Sequence, residues 1–387
     1  MKALPDKEPD LREEFDPSER SQLVATATIA STYVYFLIFA QFGFLKALAV
    51  LGPDNFLLRP ILAVMAAAGI AGSVLMARWF HENRGRGQVM AGFVVAAAAA
   101  GLTWAARTPA VFFLCAALTG AGTGMVTVGL AGLIRREVGG GRLGRCIGLG
   151  TGLAYAFCNL PLVFGGAAHT QAMLGIAAAC TGMIAVQLFE QRGPQQLTGG
   201  HDYSSRGKTL WTIIFMTLVC LDSAAFYIIQ HTPELKLATW VGGPRLFLNA
   251  GVHLVAGVVA GLLLDRRRIA VAVGGAAVLL IAACALLDQG SGRYSLEAGL
   301  YAAAVSVYSA ALVFYPARSG RPGLAALVYA IAGWTGSALG IGLAQELDRV
   351  PGWLIATSGL VLAAMFIVRH RGRRQPAGPD QKRGDGL

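Results

Sequence analysis

About twelve apolar stretches follow one another along this chain, each close to the length that a bilayer demands of a helix, roughly 20 residues. They run at 24–45, 60–77, 88–106, 109–134, 146–167, 170–189, 210–230, 246–264, 269–287, 297–316, 323–344 and 352–368. Arginines gather in every second gap between them. Arg78, Arg84 and Arg86 follow the second stretch, Arg135, Arg136, Arg142 and Arg145 the fourth, and Arg266, Arg267 and Arg268 the eighth. The odd-numbered gaps hold only Lys46, Arg59, Arg107, Lys236, Arg245, Arg293 and Arg349 of the 32 lysines and arginines. Cations retained in short loops mark the cytoplasmic side. The pattern predicts an all-α polytopic membrane protein with both termini in the cytoplasm, which requires an even number of spans.

Composition agrees. Hydrophobic residues make up 55% of the chain and charged ones 14%, against about a quarter charged in a soluble domain. The formal net charge of +11 is explained by topology, because the cations sit in loops and tails and form no separate basic domain; nucleic acid is not an expected partner. The six cysteines lie in or beside apolar stretches without a CxxC pair, as small packing residues do.

The longest polar interruption, from Glu190 to Thr209, is rich in Gly, Pro, Ser and Gln, a linker composition. It divides the chain into a cytoplasmic tail (1–22), a six-helix bundle (23–190), a cytoplasmic linker (191–209), a second six-helix bundle (210–368) and a basic tail expected to be disordered (369–387). The halves echo each other. Arg145 opens the fifth stretch and Tyr155-Ala156 follows two to three turns later, while Arg321 and Tyr329-Ala330 do the same in the eleventh. Equivalent placement of this kind is expected of parallel repeats.

Between the eighth and ninth stretches the chain reads Gly261-Leu262-Leu263-Leu264-Asp265-Arg266-Arg267-Arg268. Twelve helices in two halves, together with this segment, resemble the major facilitator superfamily, whose motif Gly-x-x-x-Asp-Arg-x-Gly-Arg-Arg lies between helices two and three and recurs in weaker form between eight and nine. The copy after the second stretch keeps Gly72 and the charges of Arg78, Arg84 and Arg86, but Met76 stands where the acid belongs. The resemblance implies a cytoplasmic gate formed by Gly261, Asp265, Arg266, Gly72, Arg78, Arg84 and Arg86, resting mainly on the second copy. Asn159-Leu160-Pro161 with Gly165-Gly166 is similar to the family's antiporter motif, but the spacing is off by one, and no antiport is inferred. Pro161, inside the fifth stretch, is expected to kink it. The glycines of the fourth stretch predict close helix packing.

Asp222 is the one acid deep inside a stretch, about 18 Å in from Leu210 at 1.5 Å per residue. An Asp at mid-helix costs roughly 2.5–3.5 kcal/mol to insert, so an acid kept there is a functional candidate. Asn249 and His253, four apart on the eighth stretch, share a face. His253 is expected near the depth of Asp222, as a proton relay or a substrate-binding pair. Asn159, Tyr33, Tyr35, Gln41, Tyr308 and Trp334 are candidates to line the same cavity.

The reading is a secondary active transporter moving a small solute across the cell (inner) membrane by alternating access, coupled to protons or another ion. Its partners are the solute and the lipid bilayer. No cofactor is expected, since there is no Walker A pattern. No metal is expected either: no two methionines stand four apart, and Gly257 follows His253 at that spacing. The rivals are a transporter-like receptor or assembly factor without transport, and an integral-membrane transferase, for which Asp54-Asn55 and Glu297 are too isolated.

Overall fold

The computed structural model describes residues 18–52, 57–190, 204–289, 294–345, 347 and 349–374. Twelve helices cross the molecule: α1 (Glu19–Leu48), α2 (Leu58–Trp79), α3 (Glu82–Ala105), α4 (Pro109–Val138), α5 (Leu143–Cys158), α6 (Ala168–Gln187), α7 (Ser205–His231), α8 (Gly243–Asp265), α9 (Ile269–Asp288), α10 (Leu296–Ser319), α11 (Pro322–Ala344) and α12 (Gly352–His370). Eleven are long and apolar enough to span a bilayer. The exception, α5, stops at Cys158 and is continued by a short helix, Pro161–Phe164. No strand occurs among the described residues. Large apolar side chains such as Val255, Val278 and Leu360 stand exposed on the outside, where hydrocarbon would cover them. This is a multi-pass membrane protein of two six-helix bundles, α1–α6 and α7–α12.

Several helix ends differ from the hydropathy pattern because caps lie outside the apolar runs. Ser18 accepts a hydrogen bond from Ser21 N and Ser204 from Gly207 N, each at 3.2 Å, so α1 and α7 begin within the expected tail 1–22 and linker 191–209. Helical structure persists to Arg374, and Arg369 lies over the Trp211 ring at 4.5 Å, so the first residues of the tail expected to be disordered from 369 are helical. The rest of these tails, most of the linker and Asp54-Asn55 lie outside the described residues.

Pro161 does not kink a continuous helix. Proline has no N–H and disfavours α geometry in the residue before it. Leu160 is accordingly extended (φ −66°, ψ 135°), and Pro161 opens the next short helix.

One face of the molecule, the terminal face, collects both ends of the described chain. Ser18 Oγ donates to Glu190 Oε1 (3.3 Å), Glu190 N to Glu137 Oε2 at the end of α4 (3.1 Å), and an Arg135 guanidinium nitrogen to the Arg318 carbonyl of α10 (2.5 Å). Within the first bundle α4 lies backbone to backbone on α2. A Cβ at Gly120 would stand 2.0 Å from Met65 O, and one at Gly124 2.3 Å from Gly69 O. Small residues four apart permit such approach. The same device joins the bundles. A Cβ at Gly148 of α5 would fall 2.2 Å from Gly257 O of α8, and one at Gly261 2.7 Å from Gly144 O.

Candidate functional site

Asp222 on α7 faces α10. Tyr301 and Tyr308 are seven apart and therefore share a face of α10. The Tyr301 hydroxyl donates to Asp222 Oδ1 and the Tyr308 hydroxyl to Oδ2. Both carboxylate oxygens thus receive O–H donors, the strong charge-assisted kind. The next residue, Ser223, hydrogen-bonds Ser337 of α11 at 3.0 Å. Asp222 is half-buried.

His253 on α8 is buried, with Nδ1 2.7 Å from Ser306 Oγ of α10. Its ring stacks on Tyr155 of α5, centroids 4.7 Å apart at 12°. The Tyr155 hydroxyl is 3.1 Å from Ser309 Oγ, and its ring is 6.0 Å from that of Tyr33 on α1. His253, expected near the depth of Asp222, forms no hydrogen bond with it among the described residues; the two have separate partners on α10. Each binds α10 on a different face, because successive residues turn by roughly 100° and Ser306, the partner of His253, falls roughly opposite the Tyr301–Tyr308 line. Tyr155, His253 and Ser309 do bring the two bundles together at this level.

Toward the opposite face, Asn159 Nδ2 caps the Tyr155 carbonyl (2.9 Å), and its Oδ1 accepts from Trp240 Nε1 across the bundle boundary (3.3 Å). Asn249 donates to the Thr239 carbonyl at 3.2 Å, holding the short helix Pro233–Thr239. The Trp240 ring is edge-on to Tyr301 (5.5 Å) and to Phe226 (6.1 Å), and Phe226 meets Phe42 of α1 (5.6 Å). Lys46 Nζ donates to the carbonyls of Phe164 (3.1 Å) and Gly166 (2.8 Å), while Gln171 Nε2 donates to those of Val163 and Phe164, closing the orphan end of the short helix after the break. A cavity of about 300 Å³ opens between Phe42, Phe164, Gln230 and Trp240.

At the terminal face Asp265, the last residue of α8, caps the first turn of α5. Its Oδ1 accepts from Gly144 N at 2.6 Å and its Oδ2 from Arg145 N at 3.2 Å, with Arg145 Nε 3.1 Å away. An acid there meets the positive end of the helix. Gly261 packs one turn earlier, and Arg266 is exposed. Among the described residues, the ion pairs at the first copy stay within the first bundle. Gly72 lies against Ala121 of α4, Arg86 pairs with Glu137 at 3.8 Å, Arg136 pairs with Glu82, and Arg78 and Arg84 are exposed. Met76 stands in the acid's place, so the first copy has no carboxylate there to cap a helix start as Asp265 does.

The remaining candidates separate. Gln41 and Trp334 are half-buried in wider π-helical segments, Tyr35–Gly43 of α1 and Tyr329–Thr335 of α11, a geometry frequent at functional sites. Trp334 wedges between bundles, since a Cβ on Gly69 of α2 would stand 2.1 Å from its ring. Tyr35 is packing: its hydroxyl donates to Ala96 O at 2.9 Å within the first bundle. Tyr301 and Trp240 were not singled out by sequence reasoning. Their only signal is a polar-tipped aromatic on the helix face or connection next to Asp222.

No family model matches the sequence, and no curated protein matches it. Among solved structures, the chain is similar to the crystal structure of a major facilitator superfamily transporter, FucP, in the outward conformation. The identity is 14% and the TM-score 0.62, over 92% of this chain and 100% of that one. The chain therefore has the major facilitator superfamily fold.

Proposed function

We propose that this protein is a secondary active transporter that carries a small solute across the cell (inner) membrane by alternating access, coupled to protons. One observation carries the reading: the carboxylate of Asp222, far from either face, is held by two tyrosine hydroxyls of α10 beside the bundle boundary. Hydroxyls can donate to the charged carboxylate or accept from the protonated one, so the pocket serves both states. An acid whose surroundings suit both is fitted to take up and release a proton as access changes.

In this reading the terminal face is cytoplasmic and closed, the two bundles rock about the Tyr155–His253–Ser309 contact, and Asp265 with Arg145 forms the latch. Likeness in fold to a transporter supports the class, while the solute is chosen by residues that differ between them. The test is a flux assay in proteoliposomes holding a pH-sensitive dye. A panel of small solutes is added outside, and a transported solute moves protons with it. No solute-dependent proton movement and no solute uptake across a broad panel would overturn the proposal.

A further inference from the structure

Lys46 and Lys236 are two of the few cations on the face opposite the termini, and both line the same cavity. Its walls are apolar and aromatic: Phe42, Phe164, Trp240 and Leu246. No acid lines it. Lys46 spends two of its three donors on the Phe164 and Gly166 carbonyls, leaving one. The ammonium of Lys236 makes no hydrogen bond or ion pair among the described residues. Gln230 Nε2 is buried at the cavity with no partner among them. A buried amide nitrogen without an acceptor costs about 1–3 kcal/mol, so it marks a place where an acceptor fits.

We infer that this vestibule is the entry site for a small organic anion with an apolar body, its carboxylate held by Lys46, Lys236 and Gln230 and its body against Phe42 and Trp240. About 300 Å³ is at the small end of ligand pockets, which fits a metabolite-sized acid. Two ammonium groups and one amide line the cavity, and the rest of its wall is mostly hydrocarbon, which favours an amphipathic ligand over a fully hydrated ion. The inner wall continues toward Asp222: Trp240 abuts Tyr301, whose hydroxyl donates to that carboxylate. An anion moving inward meets a like charge unless Asp222 is protonated. Anion and proton then travel together. The inference rests on the transport reading and names its substrate class.

The test uses the full-length protein in nanodiscs of zwitterionic lipid, titrated calorimetrically with benzoate, phenylacetate and hexanoate, and with benzamide and benzylamine as neutral and cationic counterparts. At least one carboxylate should bind at least tenfold tighter than both counterparts. Lys236→Gln should weaken it about tenfold or more, the factor for one charge-assisted contact, and Lys236→Arg should restore most of it. Should Lys236→Gln fail to fold, the comparison of carboxylate with amide on the native protein still decides. Equal binding of benzoate and benzamide, or no binding of any carboxylate, overturns the inference. So does affinity that disappears when anionic lipid is added, because the lysines then serve headgroup phosphates. Proteoliposome uptake separates the two claims. Carboxylate binding with no transport of any solute sinks the transporter reading alone, and proton-coupled uptake of a neutral solute untouched by Lys236→Gln sinks the anion site alone.

Discussion

A bare carboxylate in the middle of a membrane helix must face water, find donors or take a proton. Asp222 has donors on both oxygens, and this shapes what its variants should do. Asp222→Asn keeps the shape and removes the titratable group. Gradient-driven uphill uptake should fall to background, while exchange between equal pools of solute should survive, since exchange needs no net proton movement; full uphill uptake by a well-folded variant would eliminate the proton role. Tyr308→Phe removes one hydroxyl donor at a cost of about 1–3 kcal/mol. Uphill uptake by Tyr308→Phe should drop roughly tenfold in rate, with the protein still folded by size-exclusion chromatography. Asp222 was legible in the sequence because an acid inside an apolar run is costly and rare. Tyr301 and Tyr308 were much less so, because aromatics seven apart on a helix read equally as packing. That His253 and Asp222 bind different faces of α10 was not legible at all. It depends on the rotation of α10 between α7 and α8, a tertiary fact that depth along each helix cannot reveal.

At the scale of elements, α5 makes much of the contact between the bundles. Its first turn is capped by an acid of the other bundle, its body packs on glycines of α8, and its end is broken before Pro161. A bulky residue in the glycine seam should force it apart. Overpacking costs about 1–3 kcal/mol, so Gly148→Leu should open the terminal face. Labelling of a cysteine placed at Ser319, buried at the end of α10, should rise in a background lacking native cysteines; unchanged labelling would mean the seam is not what keeps that face shut. Asp265→Ala removes a cap worth about 1 kcal/mol and should raise the same labelling roughly fivefold. Hydropathy located every crossing but misjudged where helices start, because Ser18 and Ser204 are polar residues outside the apolar run that nonetheless set the first turn. The break in α5 was visible only as Pro161. Which side of it would stay helical depends on the extended Leu160 and on Lys46 and Gln171 reaching the carbonyls behind it.

Over the whole molecule, the cation pattern and the alternation of helices make one joint statement. Reporter fusions after Arg192 and after Arg374 should both report cytoplasm, and an external signal from either would reverse the assignment of the terminal face.

The latch between the bundles also has a consequence for how this chain tolerates change. Asp265 takes most of its grip from two main-chain amides, which every amino acid except proline supplies. The receiving side of the latch is therefore encoded by where α5 begins rather than by which residue begins it. A saturation library should show the asymmetry. Position 145 should accept most substitutions, with proline the sharp exception. Position 144 should reject all side chains for want of room, since a Cβ there would stand 2.6 Å from Asp265 Oδ1. Position 265 should favour an acid, with other residues loosening the terminal face. Two lineages descended from this protein could thus differ at position 145 and still close on the same acid.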